Sequence, residues 1–200
     1  MCSTSASEPR TLPPVGRIAS QRVLLRPVEG ADLDGLMAVN GDPAVTRFLP
    51  YETWQSQQDA MAWLARMQQL GASGTGQQLV VERNQDRRII GTVLVFRYDA
   101  GSARAEIGYV LGRAHWRQGY MREALAVLVD HAFSALGLRR LEAEVNPENS
   151  ASCRVLDTLG FVHEGTLRQR WVGNRGPYDT RLYGLLAHEW IAVPSRKEGT

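Results

Sequence analysis

The chain has 200 residues, 44% apolar and 22% charged, and a net charge of +2. This suffices for one domain with a buried core, and the arginines are too scattered to mark a nucleic-acid-binding face. Cys2 and Cys153 build neither a disulfide framework nor a zinc site, and no apolar run approaches the ~20 residues a membrane span requires.

Residues 1–20, rich in Ser, Thr and Pro, are expected to form a loose tail. A single domain follows over 21–192, and 193–200 is expected to be a second loose end. The N-terminal stretch lacks the apolar segment of a secretory signal, so a reducing, cytoplasmic setting is the default expectation.

Residues 22–27 form a short strand stopped by Pro27. Asp32 is placed to cap a helix running to Asn40, with Leu33, Leu36 and Met37 on one face. Pro43 opens a short helix. Ser56 begins a longer one, in which Ala60, Trp63, Leu64 and Met67 recur at helical spacing, and glycines between 71 and 76 end it. Strands follow at 78–82 and 88–96, joined by a turn around Asn84-Gln-Asp86, and at 105–111. A long helix is predicted from Gly119 to Leu136 with Gly137 as its terminator. A strand at 140–145, a helix from Ser150 to about Leu159, and strands at 161–172 and 178–186 around a turn at 173–176 complete the chain. The order implies an α/β (α+β) fold whose mixed sheet of about seven strands is largely antiparallel.

Function concentrates between Gly112 and Glu123, where a strand runs into a polar loop and a long helix starts at once. Such a helix start exposes unpaired N–H groups at the positive end of the dipole and favours anions. Gly119 allows close approach of a phosphate to the backbone. Three other features stand at fixed distances: Glu106-Ile-Gly-Tyr109 on the preceding strand, Asn149-Ser-Ala-Ser152 opening the next helix, and Leu159-Gly-Phe161 closing it.

Together these motifs resemble the GNAT superfamily of acyl-CoA-dependent N-acetyltransferases, over roughly residues 22–190, and within it the RimJ/RimL branch that acetylates N-termini of ribosomal proteins. The resemblance implies splayed central strands with acetyl-CoA threaded between them and the pyrophosphate on the backbone of Arg117, Gln118, Gly119, Tyr120, Met121 and Arg122. Trp116 and Met121 depart from the usual basic and small residues of that loop. The resemblance also implies an oxyanion-binding N–H near Val110, freed from the ladder by a bulge. The expected acceptor is a primary amine, foremost the N-terminal α-amine of a ribosomal protein, with small amines, polyamines and antibiotics as the alternative. A non-catalytic acyl-CoA-binding module is a third reading. No metal, direct nucleic-acid partner or membrane is expected, and the protein is expected as a monomer or homodimer.

Transfer of an acetyl group to an amine requires a neutral nucleophile, a donor for the oxyanion and a proton for the departing thiolate. At pH 7, deprotonation costs about 1.2 kcal/mol for an α-amine and about 4.6 for lysine. Glu106 is the candidate base, directly or through water; the alternatives are a solvated strand carboxylate and a partner for Arg104. Ser152 is the candidate group at the thiolate, against an ordinary helix serine. Many relatives carry a tyrosine seven residues after the motif asparagine, where this chain has Leu156. Asn149 caps the helix, bonds the pantetheine arm, or does both. Cys153 and the four histidines are assigned structural or solvated roles. Asp179, and Tyr51 with Trp54, are weaker candidates for the acceptor end.

Overall fold

The structure, a computed structural model, describes residues 11–173 and 176–191. Its strands are β1 (Ile18–Ala19), β2 (Val23–Pro27), β3 (Gln77–Arg83), β4 (Ile89–Asp99), β5 (Arg104–Leu111), β6 (Arg140–Val145), β7 (Val162–Gly173) and β8 (Gly176–Leu186). The helices are α1 (Leu33–Asn40), α2 (Pro43–Thr46), α3 (Gln57–Ala72), α4 (Tyr120–Ser134) and α5 (Ser150–Thr158). The strands form one sheet in the order β1-β2-β3-β4-β5-β6-β8-β7. Every pairing is antiparallel except that of β5 with β6.

Alternation along the strands assigns side chains to two layers. Leu79, Val81, Val93, Val95, Ala105 and Ile107 pack with Leu125, Leu128 and Ala132 of α4 and with Leu156 of α5. On the opposite face, Val80 joins Leu36 of α1, Ala60, Trp63 and Leu64 of α3, and Trp54 in a second core. Trp54 therefore packs the interior, against Trp63 at 5.5 Å between ring centroids, and does not line a groove. The Tyr51 hydroxyl is likewise engaged, donating to Asn40 Oδ1.

Three expectations change. The N-terminal segment is packed from Leu12 onward: Leu12 and Val15 are buried, and the Gln77 amide grips both backbone groups of Val15. Two apolar side chains anchor it although its composition resembles a tail, and β1 adds an eighth strand. Asp32 does not cap α1 with its side chain. It is buried and holds Arg26 at 2.7 Å, while Arg26 also bonds the buried Glu82 at 2.8 Å. Residues 1–10, the expected loose end at 193–200 and the centre of the 173–176 turn lie outside the described residues.

The pairing of β5 with β6 positions the site. It comprises Arg104↔Arg140, Ala105↔Leu141 and Glu106↔Glu142. Beyond Glu106, β5 stays on β4 as far as Leu111, and beyond Glu142, β6 stays on β8 as far as Val145. The two neighbours part, leaving a wedge-shaped opening in mid-sheet with Glu106 at its apex.

Candidate active site

The loop before α4 has the backbone geometry that suits an anion. Arg117 and Gly119 adopt φ of +59° and +80°, so the backbone reverses on either side of Gln118. A non-glycine residue held in the left-handed region is strained, a feature that clusters at functional sites. The first i→i−4 bond of α4 runs from Glu123 N–H to Gly119 O. The N–H groups of Tyr120, Met121 and Arg122 therefore have no acceptor within the helix. Met121 and Tyr120 bury their side chains, whereas Arg117 and Arg122 are exposed, and Arg113, Arg117 and Arg122 have no carboxylate partner among the described residues.

The loop is braced from outside. Trp116 Nε1 donates to Leu111 O at 2.7 Å, and Gln118 Nε2 to Ala114 O at 2.8 Å. Arg22 Nη1 donates to Gln118 O at 3.0 Å, and its guanidinium lies 4.7 Å from the Tyr120 ring centroid. Glu123, in the first turn of α4, accepts from Ser20 Oγ, Arg22 N–H and Arg22 Nε at 2.5–2.8 Å. Burial pushes its carboxyl up, but these hydrogen bonds outweigh burial and hold it below the usual carboxylate range.

Val110 does not supply the free N–H expected of it. Gly112 N–H donates to Ile90 O, and Thr92 is paired with Val110 in the same unbroken register. Counting by twos along the antiparallel ladder points the Val110 N–H at Thr92 and turns Tyr109 and Leu111 toward the β6 side. The register shift of this pair lies at the other end, between Phe96 and Asp99. The N–H groups facing the opening thus belong to Tyr109 and Leu111.

Tyr109 is the residue that the motif contained and sequence reasoning left without a role. Its hydroxyl lies 2.7 Å from Ser152 Oγ and 3.2 Å from Ser152 O, across the opening from β5 to α5. Burial pushes its phenol well above the ordinary value, against the opposing bond to Ser152, so it stays a neutral donor. The available signal was strand parity: Tyr109 shares the face of Ala105 and Ile107, opposite to Glu106. Asn149 Oδ1 accepts from Ser152 N–H at 3.2 Å, so Asn149 caps α5. Leu156 is fully buried, and Cys153 is a buried free thiol.

On the other face, Glu106 is only 7% exposed and borders a cavity of about 390 Å³. Its partner is Arg97 Nη1 at 2.6 Å, not Arg104, which bonds Glu142 at 2.8 Å. Burial pushes the Glu106 carboxyl above the usual carboxylate range, against the pull of Arg97. Asp179 lies off this cavity; it accepts from Gln169 N–H and holds the irregular stretch of β7, where Gln169 has φ +49°. The opening therefore joins a donor pair and an anion cradle on one face to a buried carboxylate on the other, an arrangement suited to acyl transfer through the sheet.

An open mixed sheet with this loop and this splay has the architecture expected of an acyl-CoA-dependent acyltransferase. The acetyltransferase (GNAT) domain family matches residues 22–162, and this chain belongs to that family, whose members use acetyl-CoA. An uncharacterized N-acetyltransferase of Bacillus subtilis, YoaA, is 34% identical over 84% of this chain and 96% of its own length. The ribosomal-protein-serine acetyltransferase of Escherichia coli is 29% identical over 66% of this chain and 73% of its own. The crystal structure of a GCN5-related N-acetyltransferase from Brucella melitensis superposes with a TM-score of 0.81 at 26% identity, over 91% of this chain and 83% of that one. The protein is an N-acetyltransferase. Among the described residues, no helix is long and apolar enough to cross a membrane.

Proposed function

We propose that the protein transfers acetyl from acetyl-CoA directly to the N-terminal α-amine of a polypeptide, in the manner of the RimJ/RimL branch and in the cytoplasm. The observation that carries this reading is the placement of Glu106, buried at the apex of the opening, with the cavity on one side and Tyr109 and Ser152 on the other. Its raised proton affinity brings it closer to that of an α-amine, which needs only a modest base.

The three N–H groups of α4 without a helical acceptor and the arginines of the preceding loop fit a pyrophosphate; the Asn149 amide hydrogens, without an acceptor among the described residues, fit the pantetheine arm. Bound there, acetyl-CoA supplies the thioester. Glu106 removes the ammonium proton. The Tyr109 N–H stabilises the oxyanion as the C–N bond forms; as the C–S bond breaks, the Ser152 hydroxyl, oriented by Tyr109, hydrogen-bonds the departing thiolate, which takes up through solvent the second proton that the nitrogen releases. Arg97, Arg104, Arg140 and Arg170 match Glu106, Glu142, Glu144 and Glu164 around the cavity. This balance favours a single positive charge over a polyamine.

The test is thiol release from acetyl-CoA against N-terminal peptides, the same peptides blocked at the α-amine, polyamines and aminoglycosides. Turnover confined to free α-amines is expected. Turnover with small amines alone would replace this reading, and CoA binding without turnover on any amine would make the protein a binding module.

A further inference from the structure

We propose that Arg97 occupies, in the free enzyme, the place of the acceptor's ammonium group, so that the acceptor enters as a cation and displaces it. The inference rests on the reading of Glu106 as base and of the adjoining cavity as the acceptor's. It identifies Arg97 and Glu144 as residues that select for a charged amine.

Arg97 Nη1 lies between two carboxylates on different strands, 2.6 Å from Glu106 Oε2 and 3.1 Å from Glu144 Oε1. The two acceptors are nearly buried, with side chains 9% and 14% exposed, whereas Arg97 is 43% exposed. It reaches in from solvent, from the irregular end of β4, where it has φ +51° and the register with β5 shifts. The other cations around the cavity are committed elsewhere. Arg104 bonds Glu142 at 2.8 Å, Arg140 bonds Glu142 at 2.8 Å and Glu164 at 2.5 Å, and Glu144, at 3.5 Å, is the only carboxylate that Arg170 approaches among the described residues. Glu106 therefore has no ion-pair partner besides Arg97 among the described residues.

This arrangement opposes catalysis. Glu106 Oε2 is bonded to Arg97, and a guanidinium so placed lowers the basicity of the carboxylate. Simple departure of Arg97 would leave a buried carboxylate unpaired, which is costly. An ammonium group resolves both difficulties: its donors serve the same two carboxylates, and unlike a guanidinium it has a proton that Glu106 can accept. Glu144 also accepts from Trp171 Nε1 at 2.7 Å, and the Arg97 guanidinium already lies 5.9 Å from the Trp171 ring, a cation–π contact the displaced side chain can retain. A neutral alcohol or thiol cannot replace the charge, so such acceptors are excluded.

Burial, Arg97 from β4, and Glu144 and Glu142 from β6 set the Glu106 titration, and Arg104 on β5 itself lines the same cavity. Removing Arg97 takes away the one cation in contact with it. In Arg97→Gln, the acceptor KM is expected to fall by roughly two- to tenfold, because a half-exposed ion pair need no longer be broken. The acidic limb of the kcat/KM profile should move to higher pH, with the KM for acetyl-CoA unchanged. Millimolar methylguanidinium should inhibit Arg97→Ala competitively against the amine and raise its melting temperature. It should do neither in wild type, nor raise the melting temperature of Arg97→Ala/Glu106→Gln. An acceptor KM that rises in Arg97→Gln and recovers in Arg97→Lys would overturn the proposal, since Arg97 would then hold the acceptor. Unchanged KM, acidic limb and methylguanidinium response would make it a surface ion pair. Failure of the underlying function is separately visible, as absence of turnover by wild type on any amine, while the melting-temperature arm still tests the cation site.

Discussion

Alanine at Gly119 tests the cradle and can be worked through in energies. Gly119 has φ +80° at the start of α4, and Gly137 has φ +67° just past its end. A side chain in this left-handed conformation costs about 1–2 kcal/mol. A Cβ at Gly119 would come 3.4 Å from the flexible end of Arg22, and one at Gly137 would meet nothing within 4 Å. Gly119→Ala and Gly137→Ala should therefore lose similar stability, a fall of roughly 2–8 °C in Tm for a chain of this size. Their effects on ligand should differ. Gly119→Ala relieves its strain by turning the loop out of the left-handed region, which swings the adjacent N–H groups off the pyrophosphate. One charge-assisted hydrogen bond of about 1.5–3 kcal/mol is lost, so CoA affinity should fall roughly ten- to a hundredfold. Calorimetric titration with CoA checks this, and pantetheine, which lacks the pyrophosphate, should bind both variants alike. Undiminished CoA affinity in Gly119→Ala, or an equal loss in Gly137→Ala, would refute the reasoning.

Glu106→Gln should abolish the acidic limb of kcat/KM. In wild type, activity should fall as pH drops through a value above the ordinary carboxylate range, because burial raises the proton affinity of Glu106; a limb that survives in Glu106→Gln would remove it as base. Tyr109→Phe should lower kcat while sparing the KM for acetyl-CoA, and Ser152→Ala should do the same, with little further loss in the double variant because the two hydroxyls act as one pair; additive losses would show independent roles. Arg26→Ala leaves the buried Asp32 without its guanidinium, while Glu82 loses one of its two and retains Arg87. It should cost about 3–5 kcal/mol in denaturant unfolding, and a loss below about 1 kcal/mol would show that the two acids find other partners.

Local patterns carried much of this protein's sequence reading. Helical spacing of Ala60, Trp63 and Leu64, alternation in β3 to β5, and the glycines at 119 and 137 each act within a few residues, so the elements, their order and the tight loop before α4 were legible. Glu106, Asn149 and Ser152 were legible as motif members for the same reason. Partners were not. Arg97, rather than the nearby Arg104, faces Glu106, because an irregularity in β4 redirects it and ion pairing across strands depends on register. Tyr109 meets Ser152 only because β5 and β6 part after a three-residue parallel contact. Val110 pairs with Thr92 because ladder parity, invisible in one strand, decides which N–H groups are free. Leu12 and Val15 are buried against the start of β3, about sixty residues on, which their own segment does not encode. The sequence by itself determined the layers, the family and the loop that opens α4. The tertiary structure decided which carboxylate, cation and hydroxyl meet at the opening, because those distances are set by strands far apart in the chain.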